Sequence, residues 1–222
     1  AWGISTGLIY APGSYAETDE IVELARVAAR HRGFYASHIR GEGANLLNSI
    51  AEAIAIGREG ELPVQVSHIK AAGRPHWGRV RDALALIDAA RAEGLDVTAD
   101  VYPYTASSTM LRTLLPGWAL EGGVEAMLER LQNPAERARI REEVEAGKRG
   151  EEDLVANAGW DGIMIAYAPG RREAEGKRLS EVAREMGAAP VEAAMDLILA
   201  GRGKGYMILF QLDEADLRVA LG

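Results

Sequence analysis

A seven-residue pattern occurs twice near the start of the chain, and its spacing restricts the fold. The pattern Ser-His-Ile-[Arg/Lys]-x-x-Gly is found at residues 37–43 and again at residues 67–73. Each copy follows a short β-type run and precedes a helical pattern, and His68 comes 30 positions after His38. An interval of about 30 residues is typical of one strand–helix unit of a parallel sheet. The two histidines are therefore expected at equivalent ends of neighbouring strands.

These two histidines are expected to converge on a single point. Adjacent parallel strands lie roughly 4.8 Å apart, and functional groups in α/β sheets and barrels collect at the carboxyl ends of strands. Two neutral imidazoles that meet there are typical of a metal site, and zinc would bind their nitrogens at roughly 2.0–2.1 Å. Because one strand-end histidine alone is more simply structural, it is the pair that favours a site. Glu42 and Asp100 are candidate carboxylate ligands, with a loop charge and a hydrogen-bond acceptor as the respective alternatives.

Apolar periodicity predicts alternating strands and helices in the first half of the chain. The pattern indicates helices at 17–31, 45–56 and 80–92, and strands at 33–37, 63–67 and 95–101. Strands and helices that alternate at intervals of about 30 residues indicate a parallel α/β sheet or barrel, in which crossover helices cover the strands.

The second half is predicted to begin with an inserted segment. A dense Glu/Arg pattern at 115–160 contains helices at 125–131 and 135–146 and reads as a solvated helical face. Regular α/β order is then expected, with strands at 162–166 and 206–210 and helices at 179–186, 190–200 and 213–220. The predicted division is barrel units at 1–114 that carry the site motifs, a helical insertion at 115–160, and remaining α/β units at 161–222.

Composition argues against several classes of function. A chain of 222 residues that is 48% hydrophobic can bury a substantial core. Its net charge of −8 disfavours a nucleic-acid or anionic-membrane partner, so a small-molecule ligand is expected. No cysteine is present, so a metal needs histidine and carboxylate ligands. The sequence indicates neither a membrane span nor a signal peptide, so a cytoplasmic location is expected. The abrupt ends of the sequence suggest a fragment of a longer protein.

Several polar residues near the histidines are candidates for substrate binding. Lys70 follows the second histidine by two positions, and a cation beside a metal favours an anionic substrate such as a carboxylate, with a salt bridge as the alternative. Tyr102, Tyr104 and Ser108 supply hydroxyl groups from the next strand end. Tyr10 lies in a turn-rich approach to the first helix, where it would either reach the site or pack.

Four longer motifs carry a resemblance to a known family. They are Ser-Thr-Gly-Leu-Ile-Tyr-Ala-Pro-Gly-Ser-Tyr at 5–15, Tyr-Ala-Ser-His-Ile-Arg-Gly-Glu-Gly at 35–43, Val-Gln-Val-Ser-His-Ile-Lys at 64–70, and Asp-Val-Tyr-Pro-Tyr at 100–104 with Ser-Ser-Thr at 107–109. In these motifs the chain resembles the N-acyl-D-amino-acid deacylases, or D-aminoacylases, of the amidohydrolase superfamily. The similarity extends to residues 176–179 and 210–214, so it covers most of the chain.

The resemblance implies a fold, a reaction and a set of site residues. The fold would be a partial metal-dependent (βα)8 TIM barrel with several strands of its C-terminal half, and segment 115–160 would be an insertion near the active-site mouth. The reaction would be hydrolysis of the amide bond of an N-acyl-D-amino acid, giving a carboxylate and a free D-amino acid. The implied zinc ligands are His38 and His68. The groups implied to hold the free carboxylate of the substrate are Lys70, Tyr10, Tyr102 or Tyr104, and Ser108.

Three elements of the family's site have no counterpart in this sequence. They are a His-x-His motif, a metal-binding cysteine and a Gly-Ser-Asp strand with the general-base aspartate, which is expected beyond the C-terminus. This chain alone is therefore expected to hold metal poorly and to be inactive. Two alternatives stay open: an amidohydrolase of the dihydroorotase or hydantoinase kind that acts on a cyclic amide, and a non-catalytic barrel fragment without a complete metal site.

Overall fold

The structure, a computed structural model, describes residues 2–147 and 152–222. Two units are distinguished, one up to Tyr104 together with Leu212–Gly222, and the other Thr105–Gln211. Residues 148–151 of the predicted insertion lie outside the described residues. The functional residues predicted from the repeat all belong to the first unit, which is described first.

Parallel strands alternate with helices in the first unit. Its elements up to Tyr104 are β1 (Gly3–Gly7), α1 (Thr18–Arg30), β2 (Phe34–His38), α2 (Leu46–Gly60), β3 (Val64–Val66), α3 (Val80–Ala92) and β4 (Val97–Ala99). The sheet order is β1-β2-β3-β4, and every pair is parallel. The α/β fold predicted for this half is therefore confirmed, while the described residues of this unit form an open four-stranded sheet and no closed barrel. Strand β1 was not predicted, because its sequence Gly-Ile-Ser-Thr-Gly lacks a run of β-branched apolar residues.

Side-chain alternation along the strands gives the sheet two different faces. One face is buried in the hydrophobic core against the helices and includes Tyr35, Val64, Val66 and Val97. Residues that are paired in register across the other face are more exposed: Ala36, Gln65 and Thr98. Because successive residues of a strand point to opposite faces, the buried face is mainly apolar, with Ser37 a buried polar exception, and the other face carries polar groups.

Helix α2 contributes a fully buried side chain to this core, and its truncation gives a direct test of the packing. Ile50 is 0% exposed. We expect Ile50→Ala to lower the free energy of unfolding by about 2–5 kcal/mol, because it removes apolar contacts and leaves a cavity. Urea unfolding of wild type and variant measures the loss. Arg81→Ala, at an exposed position of α3, is the control and is expected to change stability by no more than about 0.5 kcal/mol.

The second unit is built on an antiparallel sheet. Its elements are β5 (Ser107–Met110), α4 (Gly117–Leu120), α5 (Gly123–Gln132), α6 (Pro134–Ala146), α7 (Leu154–Ala158), β6 (Ile163–Tyr167), α8 (Leu179–Met186), α9 (Pro190–Ala200) and β7 (Tyr206–Leu209). The strand order is β5-β7-β6, and both pairs are antiparallel. The sequence predicted α/β order for 161–222 and a boundary at 114, whereas β5, from before that boundary, pairs with β7 from the last predicted segment. This pairing joins residues about 100 positions apart, which local periodicity does not report.

The last helix, α10 (Glu214–Leu221), returns to the first unit. It packs against α3, and Oδ2 of Asp216 accepts a hydrogen bond of 2.9 Å from the backbone N–H of Gly78, just before α3. Asp216 is 5% exposed, so this hydrogen bond is largely shielded from water and links α10 to the start of α3. Of the helices in the described part of the chain, none combines the length and hydrophobicity that crossing a membrane requires.

Candidate metal and substrate site

The two repeated histidines meet at the carboxyl ends of β2 and β3. His38 is the last residue of β2, and His68 follows the end of β3 by two positions. The backbone N–H of Ser67 donates to the carbonyl oxygen of Ser37 at 2.9 Å, so the two strands are still in register there. Nδ1 of His38 lies 2.9 Å from Nε2 of His68, and the rings are nearly perpendicular at 75°. The predicted convergence of the two side chains is therefore present.

The backbone of His68 adopts an unusual conformation that a carboxylate holds in place. Its φ is 43°, in the left-handed region that non-glycine residues seldom adopt. Oδ1 of Asp100, at the end of β4, accepts the backbone N–H of His68, and Oδ2 accepts from Nε2 of Gln65 at 2.9 Å. The sequence makes Asp100 a candidate metal ligand, but in the structure both its oxygens accept hydrogen bonds from protein groups. The His68 residue held in this way has its Nε2 2.9 Å from Nδ1 of His38.

Lys70 and Glu42 form a buried ion pair beside His68. Lys70 is 4% exposed and Glu42 is 7% exposed, and Nζ of Lys70 donates to Oε1 of Glu42. Nζ of Lys70 also lies 2.7 Å from Nδ1 of His68, and Oε1 of Glu42 lies 3.2 Å from the same nitrogen. The sequence alternatives for Lys70 were a substrate anchor and a salt bridge, and the salt bridge is present. The anchor role stays a prediction.

The surroundings keep His38 neutral and Glu42 charged. Burial lowers the pKa of His38 to about 4, and the nearby ammonium of Lys70 acts in the same direction, while the carboxylate of Glu42 opposes them. Burial alone would raise the pKa of Glu42, but the ammonium of Lys70 and the hydrogen bond with His68 hold it below its usual range. A neutral imidazole is the form that binds a metal, so the site is electrostatically suited to one near neutral pH.

Three tyrosines predicted to bind substrate lie in a chain of ring contacts around the histidines. The ring centroids of Tyr10 and His38 are 5.0 Å apart, and those of Tyr102 and His68 are 6.0 Å apart. Nζ of Lys70 stands 5.2 Å from the centre of the Tyr102 ring. Tyr104 is 67% exposed, and its ring lies 6.3 Å from that of Tyr102. Tyr10 and Tyr102 therefore contact the histidines directly, and Tyr104 reaches them only through Tyr102.

Structural contacts are made by Ser108, a predicted substrate-binding residue, and by Arg40, the cation in the first copy of the repeat. Ser108 lies on β5 of the second unit, where its Oγ donates to the carbonyl oxygen of Met207 at 3.1 Å. Arg40 occupies the same position in the first copy of the repeat as Lys70 does in the second. Its guanidinium binds Glu52 at 2.9 Å and the carbonyl oxygens of Ser14 and Ala16 at 3.1 and 2.9 Å. Arg40 thus ties β2 to α2 and to the loop before α1.

The donor set of the first unit fits a zinc ion. Within the described ranges, His38, Glu42 and His68 are the group whose ligand atoms lie close enough together to hold a metal, all within 4.8 Å of one another. Nε2 of His38 is buried and has no hydrogen-bond partner in the described part of the chain. Imidazole nitrogens and carboxylate oxygens are ligands that zinc takes in proteins. The chain therefore supplies two nitrogen donors and a carboxylate beside them.

Comparison with known proteins finds similarity to N-acyl-D-amino-acid deacylases. D-aminoacylase of Alcaligenes xylosoxydans xylosoxydans is 34% identical over 218 residues, which are 98% of this chain and 35% of that protein. The structure of N-acyl-D-glutamate deacylase from Bordetella bronchiseptica, in complex with zinc and a phosphonate mimic of the tetrahedral intermediate, matches with a TM-score of 0.74 and 31% identity. It covers 100% of this chain and 37% of that one. The resemblance to the D-aminoacylases is confirmed.

A further solved structure extends the comparison to the amidohydrolases. A D-aminoacylase that defines a subset of amidohydrolases matches with a TM-score of 0.72 and 32% identity, over 100% of this chain and 37% of that one. A comparison with protein-family models finds no match. The chain spans about a third of the length of the D-aminoacylases that it resembles.

Proposed function

We propose that the full-length protein hydrolyses the amide bond of N-acyl-D-amino acids and that His38 and His68 hold its zinc ion. The observation that carries this proposal is the approach of the two ring nitrogens to 2.9 Å at the ends of neighbouring parallel strands. Similarity to deacylases along 98% of the chain supports the substrate class. The general-base aspartate, the cysteine and the His-x-His motif of the family stay expectations about sequence outside this chain.

The residues of this chain have distinct parts in the proposed reaction. His38 and His68 would hold zinc, which as a Lewis acid supplies polarisation of the scissile carbonyl. Lys70 would bind the free carboxylate of the substrate. Nζ of Lys70 donates to Glu42 and lies 2.7 Å from Nδ1 of His68, and an ammonium has three N–H groups to donate. Tyr10 and Tyr102, on either side of the histidines, would orient the substrate with their hydroxyl groups.

The proposed function is tested by the stereochemistry and metal dependence of hydrolysis. The full-length protein is expected to hydrolyse N-acetyl-D-amino acids and to leave the N-acetyl-L forms largely uncleaved. Removal of metal with a chelator is expected to abolish hydrolysis, and added zinc is expected to restore it. Assays with dihydroorotate and hydantoin address the cyclic-amide alternative. Turnover of a cyclic amide without turnover of any N-acetyl-D-amino acid would contradict the proposal.

A further inference from the structure

Glu42 faces one ring nitrogen of His68 while His38 faces the other. Oε1 of Glu42 lies 3.2 Å from Nδ1 of His68, and Nδ1 of His38 lies 2.9 Å from Nε2 of the same ring. The carboxylate of Glu42 thus lies beside Nδ1 of His68, whereas the ring of His38 lies beside Nε2. The side chain of Glu42 is 9% exposed, so water competes little for its contact with His68.

We propose that Glu42 is a positioning residue: it binds the Nδ1–H of His68 and so leaves Nε2 as the metal donor. This inference rests on the proposed function, because it assumes that His68 binds zinc. In a neutral imidazole one nitrogen carries the proton, and the hydrogen bond made by one nitrogen decides which. Histidines that bind metals commonly donate their other N–H to a carboxylate, which fixes the ring and raises the basicity of the ligating nitrogen.

Lys70 can compete with Glu42 for Nδ1 of His68. Its Nζ lies 2.7 Å from Nδ1 of His68 and also donates to Oε1 of Glu42. An ammonium can only donate, so a bond from Lys70 to Nδ1 requires a lone pair there and places the ring proton on Nε2. That proton would block the nitrogen that faces His38. Glu42 opposes this state in two ways, since it attracts the ammonium and accepts the proton of Nδ1.

The first test compares zinc binding by the full-length wild-type protein and by Glu42→Gln. We expect the zinc dissociation constant, measured by competition with a chelator, to rise about 10- to 100-fold, as for other carboxylates that support a ligating histidine. The visible absorption bands of the cobalt-substituted variant should keep their positions and intensities, because the ligands are unchanged. Equal zinc affinity in the two proteins, or a cobalt spectrum that shows a lost ligand, would overturn the positioning role.

A second variant separates positioning from simple neutralisation of a buried charge. In Glu42→Gln/Lys70→Met both charges are absent, so the fold no longer contains an unpaired buried ammonium. The inference predicts that zinc affinity recovers only in part in this double variant, because the competing ammonium is gone but no carboxylate accepts the Nδ1–H of His68. A return to wild-type affinity would show that Glu42 serves only to neutralise Lys70. The control is Glu52→Gln, which breaks the equivalent pair with Arg40 and touches neither histidine, and it is expected to leave zinc affinity unchanged.

The same measurements distinguish failure of this inference from failure of the proposed function. A wild-type protein that binds zinc but hydrolyses no N-acyl-D-amino acid contradicts the proposed function, and the Glu42 comparison still decides the positioning role. An active wild-type protein whose Glu42→Gln variant binds zinc equally well overturns the positioning role alone. A wild-type protein that binds no zinc overturns both.

Discussion

Replacing His68 with alanine in the full-length protein is expected to lower zinc affinity by more than about 100-fold. Loss of a supporting carboxylate already costs about 10- to 100-fold, and loss of a ligand should cost more. Hydrolysis of N-acyl-D-amino acids should fall by at least about 1000-fold, because a bound metal contributes several kcal/mol of transition-state stabilisation and each factor of ten corresponds to about 1.4 kcal/mol. His38→Ala should have the same effects, since both rings are proposed to supply nitrogens to one ion.

Metal analysis after dialysis and steady-state kinetics measure these two losses. His31→Ala is the matched control, because His31 is an exposed histidine of the same sheet unit and lies at the end of α1. It should retain both zinc and activity. A His68→Ala protein that remains folded by circular dichroism and holds as much zinc as wild type would show that His68 is not a ligand.

The second large effect is expected at Lys70, where methionine preserves the volume of the side chain and removes its charge. Truncating one partner of a buried, hydrogen-bonded charge pair costs about 2–5 kcal/mol, which is about 30- to 4000-fold in affinity. If Lys70 holds the substrate carboxylate in the ground state and the transition state alike, this loss appears mainly as a higher KM. Zinc content should fall much less than in His68→Ala, because both proposed ligands, His38 and His68, remain.

Arg40→Met is the control for Lys70→Met, because the repeat places the two cations at equivalent positions. The guanidinium of Arg40 is occupied by Glu52 and by backbone carbonyl oxygens. Its loss should lower the free energy of unfolding and leave KM for N-acyl-D-amino acids unchanged. If both variants raise KM equally, or if Lys70→Met leaves KM at the wild-type value, Lys70 is not the anchor of the substrate.

Local sequence patterns predicted the first unit well because each of its helices is marked by the spacing of apolar residues within its own segment. Helices α1, α2 and α3 have apolar residues at helical spacing, and α3 has the predicted bounds, Val80–Ala92. The convergence of His38 and His68 followed from one more fact, that equivalent positions of adjacent parallel strands lie side by side. In the structure Ser37 pairs with Val66, one residue before its equivalent Ser67, so the register is offset by one residue from the repeat. The two ring nitrogens nevertheless come within 2.9 Å of each other.

Other features could not be predicted because they depend on contacts distant in sequence. Strand β5 is the polar stretch Ser-Ser-Thr-Met, and only its pairing with β7 makes it a strand. The sequence also left the partner of Lys70 undecided. Glu42 lies in a loop four residues after His38, and only the folded chain shows that its carboxylate faces His68 and Lys70. A Gly-flanked acid after a strand-end histidine was the one local signal that could have suggested this contact.

Anomalous diffraction at the zinc absorption edge, from crystals of the full-length protein, tests the central claim most directly. The metal centre proposed here predicts an anomalous peak about 2.0–2.1 Å from one ring nitrogen of His38 and one of His68. A zinc ion bound elsewhere, with neither histidine among its ligands, would contradict it.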